Sequence, residues 1–544
     1  MSLATVSPSF NIADRLREMA AERPTAPALL DQKTRQTLSF RETEERADAF
    51  ARGLLQCGLA PGDRVLLLVK PSCDFFCLIW GLFRAGLVPV LLDPAMGIGP
   101  VLRAVKEAEP AGVVAIERVL WLAKLFPSVF RTVRFWARAE ASGFAGQSLR
   151  RLLHEGGQSS GEVRADTGPH DLAAVLFTSG STGDPKGVRY THAIFDAQRT
   201  MLKEGLGIRP GEVDLSAFPL FSLFSMALGV SVVIPDMDST RPARVDPDRI
   251  LEAFRAYDVS YAFGSPAFWR RLVEREGRWP LSRVLMAGAP ASVDLLQTLL
   301  DRIPAEGDVF TPYGATESLP ISLPSARANL AGPAQRTLVG AGTWVGKPLP
   351  EVRVRIASVL DGPTTEVPKG LSPGAVGEIW VSSPVTTAGY FRRPEADARS
   401  KVTDAEAPFG FWHRMGDVGF LDDAGELWFC GRQSHRIETH SGTVFPVQVE
   451  ARVNRDPRVA RSALVGTGAR GAERIWLVIE PSRPLDRKAR AEVADSGARA
   501  AQAHPSVEAV AGVEFRKSLP VDARHNAKIR REVLSGWIEK RRGP

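Results

Sequence analysis

Thr178-Ser179-Gly180-Ser181-Thr182-Gly183-Asp184-Pro185-Lys186-Gly187 follows an apolar run, 172–177, that reads as a short buried strand. These ten residues supply three glycines, four hydroxyls and one lysine. Glycine lets the backbone approach a ligand closely and take up positive φ. Successive bare N–H groups in such a loop form a concavity for an anion. The hydroxyls donate to phosphate oxygens, and Lys186 adds a compact positive charge. The lysine and proline sit at set places inside the run, which argues against a merely Gly/Ser-rich surface loop. The stretch is not a Walker A loop, because no Gly-Lys-Ser/Thr stands at the required offset.

Around this loop, strand-like runs at 65–69, 88–92, 213–218 and 283–287 alternate with helical patterns such as 74–85. Alternation of this kind predicts an α/β fold, with parallel sheets covered by helices. Composition changes near Gly431-Arg432. Beyond that point, strands are expected at 462–466 and 474–480 and an alanine- and arginine-rich helix at 488–503. About a hundred residues suffice for a compact second domain.

A chain of 544 residues is too long for one ordinary core. The net charge is +7. A basic balance can signal nucleic acid or an anionic membrane. Here the arginines are scattered among acids and no zinc or helix-turn-helix pattern stands out, so no nucleic-acid partner is expected. The four cysteines, Cys57, Cys73, Cys77 and Cys430, lack a second pair or a neighbouring histidine to complete a metal site. They read as buried thiols in a reducing compartment. No basic segment followed by an apolar signal core opens the sequence. The longest apolar run, 75–83, is too short to span a bilayer and stops at Arg84, so no transmembrane segment is expected and the protein reads as soluble and cytoplasmic. In 119–136, large apolar residues are interleaved with cations and no acids. Such a stretch packs on the core, walls an acyl tunnel, or docks on a lipid or protein partner.

The glycine-rich loop resembles the phosphate loop of the adenylate-forming superfamily, which includes acyl-CoA synthetases, peptide-synthetase adenylation domains and luciferases. Further matches follow in that family's order along nearly the whole chain. They are Gly62-Asp63-Arg64-Val65, Ala85-Gly86-Leu87-Val88-Pro89, Gly288-Ala289-Pro290, Tyr313-Gly314-Ala315-Thr316-Glu317, Gly377-Glu378-Ile379, Gly389-Tyr390, Gly416-Asp417 and Gly431-Arg432. Each is short; their ordered succession is specific. The resemblance implies a large N-terminal AMP-binding domain at 1–431, a hinge at 432–436 and a small mobile C-terminal cap at 437–544. At the hinge, Ser434 stands where the family usually has an acidic residue or lysine.

The resemblance also implies ATP and Mg²⁺ as cofactors. Thr178, Ser179, Gly180, Ser181, Thr182, Gly183 and Lys186 would cradle the β- and γ-phosphates. Glu317 would hold the metal, a hard cation that takes carboxylate and phosphate oxygens. Thr316 would touch the α-phosphate. Tyr313 and Gly314, with Gly288, Ala289 and Pro290, would bracket the adenine. Asp417 would accept from the ribose hydroxyls, assisted by Arg432. Lys528 is the candidate to bridge carboxylate and α-phosphate. It departs from the family pattern, because Ala527 replaces a glycine and the spacing from Leu519-Pro520 is longer.

The stretch 221–228 reads Phe, Ser, Leu, Phe, Ser, Met, Ala, Leu and contains no acid. It suits an alkyl chain with one or two hydroxyls and disfavours an amino-acid substrate. Phe221, Ser222 and Phe224 are the candidate substrate contacts; each buried methylene is worth about 0.8 kcal/mol. Phe221-Ser222-Leu223-Phe224, Arg432-Gln433-Ser434-His435-Arg436-Ile437 and Arg524-His525-Asn526-Ala527-Lys528-Ile529 most resemble one branch of the superfamily, the β-lactone formers of bacterial long-chain olefin biosynthesis. That resemblance implies adenylation of a hydrophobic 2-alkyl-3-hydroxy fatty acid, then attack of the 3-hydroxyl on its own carbonyl, with His192 or His525 as candidate general base. It also implies partners, a reductase that supplies the hydroxy acid and a decarboxylase that consumes the lactone, with 119–136 as the candidate docking segment. A long-chain acyl-CoA ligase is the rival within the superfamily, although Glu438 stands where thioester formers commonly place lysine. An inactive homologue acting as an assembly scaffold is the rival from another class.

Overall fold

The computed structural model describes residues 10–93, 96–140, 143, 146–178, 184–521 and 529–542. Two seven-stranded sheets carry the first three hundred residues. One runs, in spatial order, Gln147–Ser148, Phe135–Arg138, Gly112–Ala115, Arg64–Leu68, Val88–Leu91, Leu172–Thr178, Lys186–Thr191. It is parallel except for the last pair. The other runs Asp308–Phe310, Arg283–Met286, Tyr261–Gly264, Val213–Leu215, Ser231–Ile234, Pro27–Asp31, Thr37–Ser39, again parallel until its final pair. Parallel strands covered on both faces must be apolar throughout. Val65, Leu66 and Leu67, or Val232, Val233 and Ile234, are accordingly all buried.

The sequence-predicted strands fall within a few residues of those observed, with one informative exception. The run at 213–218 leaves its sheet after Leu215, so that residues from Ser216 onward wall a cleft. Pro219 has no N–H for a ladder bond, which suits an exit there. The expected helix at 74–85 is Cys73–Arg84. Ser72 caps it, accepting from the Phe75 N–H at 3.2 Å, and the helix is buried on every side. Its terminal Arg84 is only 3% exposed and pairs with Glu44 and Asp48. Cys73, Cys77 and Cys430 are buried free thiols as expected; Cys57 is instead half-buried.

A third, antiparallel sheet follows in the order Thr343–Gly346, Leu427–Arg432, Phe411–Leu421, Gly377–Ser382, Arg353–Ala357, with Lys401–Thr403 added to Phe411–Leu421. After the single turn Gln433–His435 comes a small α/β piece. Its strands Val459–Thr467, Arg474–Pro481 and Gly512–Phe515 pack against the helices Pro446–Val453, Arg487–Gln502 and Arg531–Arg542. It has its own apolar core around Val449, Leu464, Leu477 and Val493. The expected α/β class, with a large N-terminal part and a small C-terminal part, is borne out. Among the described residues, no helix is long and apolar enough to cross a membrane.

The segment 119–136 is partly packed on the core and partly exposed. Leu120, Ala123, Phe130 and Phe135 are buried, while Trp121, Leu122 and Leu125 are 49%, 42% and 69% exposed. Lys124 lies over the Trp121 ring at 3.7 Å. Leu122 and Phe126 also line the cleft.

Candidate active site

A continuous cleft of about 3040 Å³ runs between the sheets and the start of the C-terminal piece. Its polar end is assembled from four separated stretches of chain. Asp417 sits inside the strand Phe411–Leu421, and Arg432 is its directly opposed partner on Leu427–Arg432. Opposed residues on antiparallel strands are close enough to pair, and the Asp417 Oδ1 to Arg432 Nη1 distance is 2.9 Å. The Tyr313 hydroxyl donates to Asp417 Oδ2 at 2.8 Å. Asp417 beside it holds the Arg432 guanidinium firmly charged. Burial, then the neighbouring Asp417, raises the Tyr313 phenol well above its usual range, so it stays a donor. Gly288, with φ of 96°, turns the loop after Arg283–Met286 along the same wall.

A second cluster surrounds Glu317. Its Oε1 accepts from the Tyr390 hydroxyl at 2.7 Å, and its carbonyl accepts from the Thr387 N–H at 2.9 Å. Lys186 Nζ stands 5.3 Å from the centre of the Tyr390 ring. Lys401 donates to the Thr387 carbonyl beneath this group. Full burial pushes the Lys401 ammonium down to about 7, against the upward pull of Glu317 and Asp397. Nothing in the sequence around Lys401 marks it; only pairing of Lys401–Thr403 with the Asp417 strand brings it beside Glu317. Thr316 completes the wall, its carbonyl accepting from the Tyr190 hydroxyl at 2.6 Å. Among the described residues, no three His, Cys, Asp or Glu side chains gather to hold a metal by themselves. A lone carboxylate such as Glu317 matches Mg²⁺, which keeps most of its ligands from phosphate and water.

The other end of the cleft is aromatic. Phe221 stacks on Phe263 with centroids 4.8 Å apart, and Phe218, Phe224 and Phe195 continue the cluster. Phe221 and Phe224 line the cleft, as expected of residues three apart on the same face. Ser222 does not. The helix Ser222–Met226 turns Ser222 and Ser225 to its inner face, each 1% exposed. There they meet Asp214, on the strand beneath; Ser225 donates to it at 2.8 Å and receives a bond from Tyr261 at 2.9 Å. The expected substrate hydroxyl contact at Ser222 is therefore corrected, and the acid missing from 221–228 is supplied from below by a distant strand.

Complete burial pushes the Asp214 carboxyl up to about 7, although Ser222 and Ser225 pull it down. The native state thus holds a proton that the unfolded chain has lost. Stability from this group is full below about pH 4 and is lost as pH rises through 7. Asp214→Asn keeps the shape and an acceptor for Ser225 while removing the charge. It should raise the melting temperature at pH 8 by several degrees and change it little at pH 4. Equal shifts at both pH values would show that Asp214 is not the titrating group.

His192 is also placed elsewhere. It opens the helix His192–Leu206, is 2% exposed, and its Nδ1 accepts from the Ile12 N–H at 3.2 Å. Burial lowers it to about 4. It lines no part of the cleft and is a structural residue rather than a general base. Ser179, Gly180, Ser181, Thr182, Gly183, His525 and Lys528 lie outside the described residues. Thr178 and Lys186, which flank the first group, are cross-strand partners. Val521 and Ile529, which flank the second, pair with each other and line the cleft.

A helix-covered pair of sheets, a small C-terminal piece and a cleft with an Asp–Arg–Tyr cluster define the class of adenylate-forming enzymes. The family model for AMP-binding enzymes matches residues 16–391, and the chain belongs to that family. It is 40% identical to an olefin β-lactone synthetase of Stenotrophomonas maltophilia (strain K279a), over 98% of this chain and 99% of that one. It is 39% identical to the olefin β-lactone synthetase of Xanthomonas campestris pv. campestris, over 98% of both chains. In fold it matches the amide bond synthetase McbA from Marinactinospora thermotolerans, with a TM-score of 0.79 at 22% identity, covering 97% of this chain and 100% of that one.

Proposed function

We propose that this enzyme activates the carboxylate of a 2-alkyl-3-hydroxy fatty acid with ATP and closes it to a β-lactone, releasing AMP and pyrophosphate. Two olefin β-lactone synthetases about 40% identical over nearly their full lengths carry this reading. The aromatic end of the cleft supports a hydrocarbon substrate.

In the first step a carboxylate oxygen attacks the α-phosphorus and the bond to pyrophosphate breaks. Two anions must be held together, so positioning and electrostatic stabilisation are the enzyme's main contributions. We assign Asp417 and Arg432 to the ribose, Tyr313, Gly314, Gly288, Ala289 and Pro290 to the adenine, and Thr316 to the α-phosphate. Lys186 and residues 178–183 are assigned to the β- and γ-phosphates. Lys528 is assigned to the carboxylate and α-phosphate, and Glu317 to Mg²⁺. When bound, Mg²⁺ supplies charge neutralisation at the phosphates. In the second step the 3-hydroxyl oxygen attacks the acyl carbonyl. The C–O bond to AMP breaks, and the hydroxyl proton leaves to a base or to solvent. Residues 1–431, 432–436 and 437–544 are assigned as nucleotide domain, hinge and cap, supported by the separate core after the Gln433–His435 turn.

Incubating the purified enzyme with ATP, Mg²⁺ and a racemic 2-alkyl-3-hydroxy acid, with and without CoA, tests the reading by mass spectrometry. CoA-independent AMP release with a product lighter than the acid by one water is expected. A thioester formed only with CoA makes the protein an acyl-CoA ligase. No pyrophosphate release at all makes it a scaffold.

We further propose that docking of the reductase or lactone decarboxylase uses the exposed face of the helix Glu117–Ala123 and the turn after it. Arg131 and Arg134 are engaged with Glu109 and Asp63, so Trp121 and Leu125 are the better probes. Trp121→Glu/Leu125→Glu should abolish co-purification with the partners at unchanged melting temperature. Undiminished co-purification removes this face from any assembly.

A further inference from the structure

Residues 360–362 follow the strand Arg353–Ala357 and meet the turn Gln433–His435. Their backbone is held by Arg414, three residues before Asp417 on the same strand. Arg414 is 5% exposed and is clamped by Glu378, with Nε to Oε1 and Nη2 to Oε2 both at 2.9 Å. It also donates to the Gly362 carbonyl at 2.6 Å and to the Leu360 carbonyl at 2.7 Å. The Leu360 carbonyl accepts a second bond, from Gln433 Nε2 at 2.6 Å. A buried polar network with its donors used fixes one geometry. The loop is therefore set in place before its middle residue, Asp361, makes any contact of its own.

Asp361 presents its carboxylate to the C-terminal piece. Its two oxygens accept from Arg436 Nη2 at 2.8 and 2.7 Å, and Oδ1 accepts from Arg470 Nη2 at 3.3 Å. Arg436 follows the turn; Arg470 lies on the connection between Val459–Thr467 and Arg474–Pro481. The same two arginines meet again on Glu438, Arg436 Nε at 2.7 Å and Arg470 Nε at 2.8 Å. One carboxylate of the large part thus faces a pair of arginines kept in register by an acid of the small part. Single exposed ion pairs contribute little, whereas networks contribute more. The Arg436 side chain is only 5% exposed, where solvent and salt screen charge poorly. In the orientation so held, Glu450, Asn454, Arg531 and the paired Val521 and Ile529 wall the cleft.

We propose that Asp361 is a positioning residue, whose carboxylate latches the C-terminal piece in the orientation that walls the cleft, so that acyl-adenylate forms with the cap held closed. This rests on the assignment of 437–544 as a cap and adds the contact that holds it. Asp361 acts through Arg436 and Arg470, not on the reacting atoms. Its removal leaves both arginines on Glu438 and leaves the loop backbone on Arg414, so each piece keeps its fold and only the tie between them is cut.

The test uses the full-length wild type, Asp361→Ala and Arg470→Gln. Trypsin can cut the hinge after Arg432 and Arg436, and mass spectrometry times the appearance of fragments that begin at Gln433 or Ile437. Hinge cleavage should be about fivefold faster in Asp361→Ala and about twofold faster in Arg470→Gln, with cuts elsewhere and the melting temperature unchanged. In single-turnover assays Asp361→Ala should form acyl-adenylate about two- to fivefold more slowly, with ATP affinity as in the wild type. A merely structural role would lower the melting temperature and speed cleavage throughout the chain, and that result overturns the latch. So does hinge cleavage at the wild-type rate in both variants. Faster hinge cleavage with an unchanged rate of adenylate formation overturns the positioning role. Arg470→Gln, on an exposed turn, carries the test if Asp361→Ala does not fold. Proteolysis needs no acid substrate, so failure of the latch is read separately from failure of the lactone-forming reaction.

Discussion

Replacing Lys528 by alanine should slow formation of the acyl-adenylate by about 10²–10³-fold while leaving ATP affinity within a fewfold of wild type. The expectation follows from what the first step demands. A carboxylate and an α-phosphate repel each other as they meet, and charge on the pentavalent phosphorus rises further in the transition state. A lysine can bridge both, because its ammonium is a compact charge with three donors on a flexible stem. Under the assignments proposed above, nucleotide binding would draw instead on the Asp417–Arg432–Tyr313 cluster and the glycine-rich loop, so it should be spared. Lys528 lies outside the described residues, but the paired flanks Val521 and Ile529 line the cleft. Single-turnover measurement of acyl-adenylate, with ATP binding followed by calorimetry, separates the two quantities. An unchanged rate removes Lys528 from the chemistry and transfers attention to Arg524 and His525.

Glu317→Gln should raise the Mg²⁺ concentration for half-maximal turnover by about tenfold or more and lower the saturated rate by about 10–100-fold. Glutamine keeps the size of the side chain and an oxygen that can still accept from the Tyr390 hydroxyl, now 2.7 Å from Glu317 Oε1. The substitution therefore removes charge with little change of packing. Glutamine offers a neutral carbonyl, a poorer ligand than a carboxylate for a hard cation. Wild-type metal dependence in the variant would reassign the metal to phosphates and water alone. Tyr390→Phe is the matched control, because it deletes the hydrogen bond and leaves the carboxylate. It should change the Mg²⁺ requirement by no more than a fewfold.

Much of the polar end of the cleft was readable as sequence because its parts are short local motifs. The Tyr313 and Thr316–Glu317 stretch, Gly416-Asp417 and Gly431-Arg432 do converge on one cleft, and Asp417 and Arg432 do pair. The substrate side was less readable. Phe221 and Phe224 line the cleft, yet Ser222 does not, because the five-residue helix Ser222–Met226 turns Ser222 and Ser225, three apart, to its inner face. The absence of an acid in 221–228 is true of the sequence and misleading in space, since Asp214 lies directly beneath. His192 shows the same difficulty. A histidine after the glycine-rich strand invites a chemical role, but packing buries it against the N-terminal segment.

The sequence by itself determined the class of fold and the order of its motifs. These depend on hydrophobic period, on glycine's backbone freedom and on residues adjacent in the chain. Tertiary structure alone decided that Lys401 stands beside Glu317 and that Asp214 underlies Ser222. Burial, hydrogen-bond partners and shifted proton affinities arise from contacts between strands and helices far apart in sequence, and no local pattern encodes them.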